Sequence, residues 1–183
     1  MTETPKLSIY EEAFAKSDKT DAILVVDGKK LHVNKATLSY HSDYFNALFN
    51  SDFKEKSMEE IPVEDVESED FATLLSLVHD KPLRINSNNA PNLLKLADRF
   101  QMHTPKVLVG NVLITSTEFT KFQKLFYADT YNLKDLFDHA MGLYDSRAEF
   151  LDFYWNSGIL KEFSDAAKAR LFEKLVKNHG NTF

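Results

Sequence analysis

The sequence of 183 residues contains no cysteine, and only five of its residues are glycine. Without cysteine the chain has no disulfide framework, no thiolate metal site and no cysteine nucleophile, and its composition fits a reducing compartment. None of the glycines occurs in the spacing of a phosphate-binding loop. These two shortages exclude several common classes of redox, metal and nucleotide site.

Positive charge and long apolar runs are also scarce. The chain has 22 basic and 28 acidic residues, which gives a net charge of −6 at pH 7. Since a nucleic-acid binder needs a basic surface for phosphates, we expect no nucleic-acid partner. No apolar run reaches the roughly 20 residues of a membrane span, and the N-terminal residues do not resemble a signal peptide. We therefore expect a protein of the cytoplasm and/or nucleus, with no membrane partner.

Motifs of catalysis are missing from the sequence as well. It contains no nucleophile elbow and no pair of histidines at the spacing of a zinc-binding helix. Asp135 and His139 have the spacing of an ion pair on a helix surface, and the acidic run at 64–70 lacks the glycine and alternating oxygen ligands of a calcium loop. We expect no catalytic residue, no cofactor and no metal, and hence a protein that is not an enzyme.

Aromatic residues, by contrast, are plentiful, with fifteen Phe and seven Tyr. Such side chains bury large areas both in cores and in protein interfaces. A chain with this surplus and without a recognisable site of catalysis is typical of an interaction protein.

The first half of the chain predicts a hairpin followed by two helices. Residues 22–26 form a β-branched run, Asp27-Gly28 suits a tight turn, and residues 29–33 alternate in polarity. Asn34 and Ser42 can each cap a helix. In the second of these helices, Tyr44, Phe45, Leu48 and Phe49 are expected to form one face, and Phe45, Leu48 and Phe49 are expected to be buried.

The next elements are a short strand near residues 61–66, with Pro62 favouring the edge of a sheet, and two amphipathic helices. One helix is expected to begin at Ser68 and the other to have Pro91 in its first turn. The sequences LADRFQM (96–102) and YADTYNL (127–133) share one pattern, which predicts that the same helix-to-helix corner occurs twice. Beyond a boundary near residues 115–118 the chain is expected to be all helical.

Taken together, these motifs resemble the BTB/POZ domain. The resemblance covers about residues 7–116 and includes the Thr-Asp before the first strand, the Ser-x-x-Phe step and the Leu-Ala-Asp-x-aromatic segment. The positions in register are Thr20, Asp21, Leu31, Lys35, Ala36, Leu38, Ser42, Phe45, Leu48, Phe49, Leu96, Ala97, Asp98 and Phe100. Two positions depart from the family pattern: Asn34 replaces the usual histidine, and VHDKP replaces the aromatic-x-Gly that often ends the third helix.

The resemblance implies an α+β BTB/POZ fold, a small sheet flanked by a helical cluster, followed by an all-helical extension. It divides the chain into an N-terminal segment at 1–20 with a dimerisation helix, a BTB/POZ domain at 21–116 and a BACK-like extension at 117–183. The helices of the extension would fit either a cullin-binding box or a purely structural array.

Many BTB domains form homodimers through their first helix, and Leu7, Tyr10 and Phe14 make a helical stripe before the first strand. A second copy or the chain's own domain would cover this stripe, and we favour the second copy. The resemblance adds Asp21, Lys35 and Thr37 to the expected dimer interface.

Adaptors of cullin-3 ubiquitin ligases often carry an apolar-x-acid motif in the loop after the Phe-containing helix, and Phe53, Lys54 and Glu55 occupy that place. The resemblance therefore implies a cullin-binding site that also includes Tyr44. Alternatively, Phe53 folds back on Phe49 or Met58.

The function implied by this resemblance is that of a homodimeric adaptor, which recruits a cullin-3 scaffold so that a bound client protein is ubiquitinated. The main alternative is a BTB module for self-association, which docks a transcriptional or cytoskeletal partner without binding cullin. An enzyme or regulator with an unrecognised site is the third possibility.

Overall fold

The computed structural model describes residues 8–50, 58–144, 146–156 and 159–177. It confirms the expected α+β class, with a small sheet and a helical cluster followed by an all-helical segment. The chain divides into two compact units, residues 1–109 and 110–183. Each unit is described separately below.

The first unit contains both helices and short strands. They are α1 (Ile9–Ala13), β1 (Ala22–Val26), β2 (Lys29–Val33), α2 (Lys35–His41), α3 (Asp43–Asn50), β3 (Glu60–Pro62), α4 (Ser68–Ser76), α5 (Ala90–Arg99) and α6 (His103–Thr115), the last of which includes the division between the units.

The hairpin has the bounds and the turn that the sequence predicted. β1 and β2 pair antiparallel with Leu24 opposite Leu31, and both turn residues are left-handed, with φ of 49° at Asp27 and 74° at Gly28. Two consecutive positive φ angles are the mark of a type I′ turn, which Asp-Gly favours. β3 pairs parallel with β1, so the strand order is β2-β1-β3 and the strand with Pro62 lies at an edge, as expected.

Four stacked or tilted phenylalanine rings form the centre of this unit. Phe45 stacks on Phe49 at 5.8 Å and on Phe100 at 5.7 Å between ring centroids, and Phe71 contacts Phe100 at 5.1 Å. All four rings are buried. The predicted face of α3 is only partly correct, because Leu48 is half-buried.

The start of α4 depends on a partner that the local sequence does not reveal. The helix begins at Ser68, as predicted, but its first amide is capped from a distance. The Asp27 carboxylate, 41 residues earlier in the hairpin turn, accepts the Ser68 backbone N–H at 3.1 Å. The residue before the helix, Glu67, makes no side-chain cap hydrogen bond. The hairpin turn therefore also stabilises a helix N-terminus.

The predicted repeated corner is confirmed in detail. Gln101 and Asn132 follow helices α5 and α7 (Lys121–Thr130) with left-handed φ angles of 51° and 54°. The next backbone amides donate back to the repeat alanines, Met102 N to Ala97 O at 2.7 Å and Leu133 N to Ala128 O at 2.8 Å. This hydrogen bond, from the amide of the third residue past the last helical residue, is that of the Schellman motif.

The second unit continues with α8 (Lys134–Gly142), α9 (Arg147–Asn156), a 3₁₀ turn (Ile159–Glu162) and α10 (Asp165–Lys177). Its aromatic core includes Tyr144, whose ring lies edge-on to Phe150 at 5.5 Å. Burial, together with the charge of Glu149, raises the pKa of the Tyr144 hydroxyl to about 12. A tyrosine in this environment is a core residue that stays neutral at ordinary pH.

Candidate functional site

The predicted cullin-binding motif lies between α3 and β3. Phe53, Lys54 and Glu55 fall in residues 51–57, which are outside the described residues. The described chain ends on one side at Asn50 in α3 and resumes at Met58, whose side chain is exposed. The fourth predicted residue, Tyr44, lies in the first turn of α3 and can be placed.

Tyr44 combines an exposed surface with a rigid base. The residue is 38% exposed. Its ring meets two core rings edge-on, Phe100 at 5.0 Å and Phe45 at 5.3 Å between centroids. Edge-to-face contacts of this kind favour one ring orientation. Tyr44 can therefore present an aromatic surface to a partner without a large loss of side-chain entropy.

Ser42 fixes the backbone beneath Tyr44. Its hydroxyl donates to the carbonyl oxygen of Phe100 at 2.6 Å and accepts from the backbone N–H of Phe45 at 3.0 Å. The hydroxyl thus caps α3, as predicted, and ties its first turn to the end of α5. Because Ser42 is buried, water does not compete for either hydrogen bond.

The predicted dimerisation stripe is used largely inside its own unit. Leu7 lies outside the described residues, and Phe14 is buried, with its ring edge-on to His79 at 5.6 Å. Tyr10 is half-buried, and burial, together with hydrogen bonding to Glu69, raises its pKa. α1 therefore packs on α4, and its large exposed side chain is Ile9, at 61% exposed, which the stripe did not include.

Asp21 and Lys35 are brought together at the start of α2. A carboxylate oxygen of Asp21 accepts the Lys35 backbone N–H at 2.7 Å. The side-chain oxygen of Asn34 accepts from the backbone N–H of Thr37 at 2.8 Å and from its hydroxyl at 3.1 Å. Asn34 thus caps the helix as predicted, and all three predicted interface residues contribute to this helix start.

Sequence reasoning missed the aromatic residue that is most exposed among the described residues of the first unit. Tyr40, on α2, is 85% exposed, and its ring meets the ring of His41 edge-on, at 5.0 Å between centroids. Ala36, four residues earlier on the same face of the helix, is also exposed.

His79, three residues after the end of α4, brings a buried polar atom close to Phe14, the residue that follows α1. Among the described side chains its Nε2 is buried without a hydrogen-bond partner. Burial lowers the pKa of His79, opposed by the nearby charge of Asp80 and assisted by His41. Burial of His79 therefore favours the neutral form of its imidazole.

The described residues hold no group of three histidine, aspartate or glutamate side chains that could bind a metal ion. In those same ranges no helix is long and apolar enough to cross a membrane. What the first unit presents is a set of exposed aromatic and aliphatic side chains on a rigid mixed fold. Exposed side chains of this kind are suited to contacts with another protein.

The chain belongs to the BTB/POZ family, since the model of that family, the BTB/POZ domain, matches residues 10–117. It is 38% identical over 170 residues to the BTB/POZ domain-containing protein Y57A10B.3 of Caenorhabditis elegans, a match of 91% of this chain and 52% of the relative. It is 32% identical over 172 residues to the BTB and MATH domain-containing protein 38 of the same organism, covering 92% of this chain and 43% of the relative. The chain thus spans about half the length of these relatives.

Two human proteins match a shorter part of the chain. Kelch-like protein 6 is 34% identical over 82 residues, which cover 45% of this chain and 13% of that protein. The solved BTB domain of human gigaxonin matches 61% of this chain and 99% of its own, with a TM-score of 0.46 and 20% identity.

Proposed function

We propose that this protein is a homodimeric adaptor that recruits a cullin-3 ubiquitin ligase scaffold for ubiquitination of a client protein. The observation that carries the proposal is the placement of Tyr44, an exposed ring on a rigid base, in the helix that leads into the apolar-x-acid segment at Phe53–Glu55. Membership of the BTB/POZ family and similarity to Kelch-like protein 6 also support it.

The chemistry of the segment suits a binding hot spot. An aromatic ring such as Phe53 contributes buried area in a pocket of the partner, and a neighbouring carboxylate such as Glu55 fixes its orientation. Tyr44 adds a second aromatic contact whose orientation is already fixed by Phe45 and Phe100. Binding then loses little entropy on the side of the adaptor.

Self-association would use the outer surfaces of α1 and α2. Ile9 and Tyr40 are large exposed side chains on these helices, and such side chains are commonly covered in an interface. Phe14 fixes α1 to its own unit, so that Ile9 is presented on a preformed helix. This assignment changes the role of Phe14 from a partner contact to a support.

The mechanism of such an adaptor is positioning. Binding the cullin scaffold and the client on one chain raises the effective concentration of the client near the ubiquitin-charged enzyme, and a dimer doubles the valency. We assign residues 117–183 to the BACK-like extension in this scheme.

The proposal is tested by the double variant Phe53→Ala with Glu55→Lys. We expect it to abolish capture of the N-terminal region of cullin-3 in a pull-down, while the mass in light scattering stays that of the wild type. Glu59→Lys, at an exposed position in the same connection, is the matched control for charge reversal and should bind normally. Undiminished capture by the double variant would refute the motif, and a wild type that captures no cullin would favour the self-association module.

A further inference from the structure

Helix α10 has two different apolar faces. One face is buried in the second unit through Ala167 and Leu171. On the opposite face Ala169, Phe172 and Val176 are exposed, with Phe172 at 56% and Val176 at 53%. A surface helix normally has a single apolar face, towards its own core, so the second face has no role in the fold of this unit.

The exposed face has the spacing of a coiled-coil seam. Ala169, Phe172 and Val176 follow one another at intervals of three and four residues, which is the alternation of a and d positions in a heptad. We name these three residues the α10 seam. An isolated seam of this length would be marginal, but here the helix is already folded against its own unit.

The charges beside the α10 seam distinguish between possible partners. Lys168 lies on one flank of the seam at a g position, and Glu173 lies on the other flank at the following e position. In a parallel pair of helices, a g residue faces the e residue of the next heptad on its partner. Lys168 would therefore face Glu173 of an identical helix, and the symmetry of the pair repeats this contact.

We propose that the α10 seam binds the α10 seam of a second copy of this chain, with the two helices parallel and Phe172 and Val176 at the contact. An antiparallel pair would set g against g, so that Lys168 would lose the acidic neighbour that the parallel register supplies. The contact goes beyond the proposed adaptor function, since it lies in the second unit and adds another self-association surface to the chain.

The contact requires Lys168 to exchange one partner. Lys168 bonds Asp165 of its own helix at 3.1 Å, but the lysine is partly exposed and the aspartate fully exposed. Exposed ion pairs of this kind contribute little to stability, so Lys168 can exchange partners readily. With three apolar side chains per copy, the association is weak and gains strength when a second interface already links the chains.

Disulfide trapping tests the parallel register, and the absence of native cysteine makes it clean. Residues at a and d positions of a parallel pair face their own counterparts. We expect Val176→Cys in the full chain to form a linked dimer under mild oxidation roughly tenfold faster than Lys134→Cys. The control position is exposed at the start of α8, beside Arg170 on the inward side of α10. Equal rates for the two variants would overturn the proposal.

A charge exchange provides a second test that does not disturb the core. Lys168→Glu and Glu173→Lys should each slow the trapping of Val176→Cys, because each variant sets like charges against each other. A mixture of the two single variants, and the double exchange, should both restore the rate, because opposite charges face each other again. A trapping rate that is the same in the two single variants as without them would overturn the parallel pairing. Loss of cullin binding in other variants would leave this pairing unaffected.

Discussion

The hydroxyl of Ser42 donates a 2.6 Å hydrogen bond to the carbonyl oxygen of Phe100, across 58 residues of sequence. This bond joins the first turn of α3 to the end of α5, at the corner whose geometry the sequence repeats at Asn132. Tyr44 lies two residues after Ser42, and its ring contacts the ring of Phe100. The proposed partner surface thus rests on a buried polar contact within the aromatic core.

Ser42→Ala is expected to reduce the free energy of unfolding by about 2–3 kcal/mol, because it leaves the buried Phe100 carbonyl unpaired and removes the cap of α3. The measurement is urea unfolding followed by circular dichroism. Thr115→Ala, which removes an exposed hydroxyl that also bonds backbone carbonyls, is the matched control and should change stability by less than about 0.5 kcal/mol. Similar losses for both variants would contradict the role given to Ser42.

Ile9→Asp and Phe14→Asp should have different effects. We expect Ile9→Asp to convert a dimer to a folded monomer in light scattering, because it places a charge on an exposed apolar contact. Phe14→Asp should instead unfold the first unit, at a cost of about 3–5 kcal/mol, because its ring is buried. Ala15→Asp, at an exposed site close by, adds the same charge as a control. A wild type that is already monomeric would contradict the dimer.

His79 should make the first unit sensitive to acid. Its folded-state pKa is lowered, chiefly by burial, so the unfolded chain takes up a proton first as the pH falls. The stability that this neutral histidine contributes is present above pH about 6.5 and is lost as the pH falls through its folded pKa. The charge of Asp80 opposes this lowering of the pKa, and His41 adds to it. Phe14, which faces the His79 ring from the end of α1, carries no charge.

The variant His79→Leu removes this titration and the unpartnered Nε2. We expect it to raise the melting temperature and to flatten the dependence of stability on pH between about 7 and about 5. His103→Leu, at an exposed position, is the control and should keep the slope of the wild type. An unchanged slope for His79→Leu would exclude this histidine as the source.

Tyr144 should make the stability of the second unit depend on alkaline pH. Its pKa is raised to about 12 in the folded chain, mainly by burial, whereas an unfolded tyrosine titrates near about 10. Its contribution to stability is therefore complete below pH about 10 and is lost as the pH rises towards 12. Tyr144→Phe should show a smaller loss of unfolding free energy between pH about 9 and about 11, measured by urea unfolding, and an equal loss would contradict this account.

The parts of the fold that the sequence predicted are those determined by local chemistry. Asp27-Gly28 favours the positive φ angles of its turn, and each repeat alanine provides the carbonyl that accepts the Schellman hydrogen bond. Asn34 and Ser42 cap the helices that follow them. In each case the interacting groups lie within a few residues of one another, so the pattern is visible in the chain.

The features that the sequence did not reveal depend on contacts between distant segments. Asp27 caps α4 from 41 residues away, and the stripe of α1 did not indicate that α4 would bury Phe14. Periodicity identifies an apolar face but not what covers it, so Ile9 and Tyr40 could be recognised as exposed only from the packing. The predicted cullin motif stays a prediction because Phe53–Glu55 lies outside the described residues.

The central claim is tested most directly by titrating the full chain with the purified N-terminal region of human cullin-3 in an isothermal calorimeter. We predict saturable binding with one cullin per chain. We also predict that Tyr44→Ala weakens it by about tenfold, the loss of one hot-spot contact, and that Phe53→Ala with Glu55→Lys abolishes it. Absence of binding by the folded wild type, or equal binding by the double variant, would contradict the account.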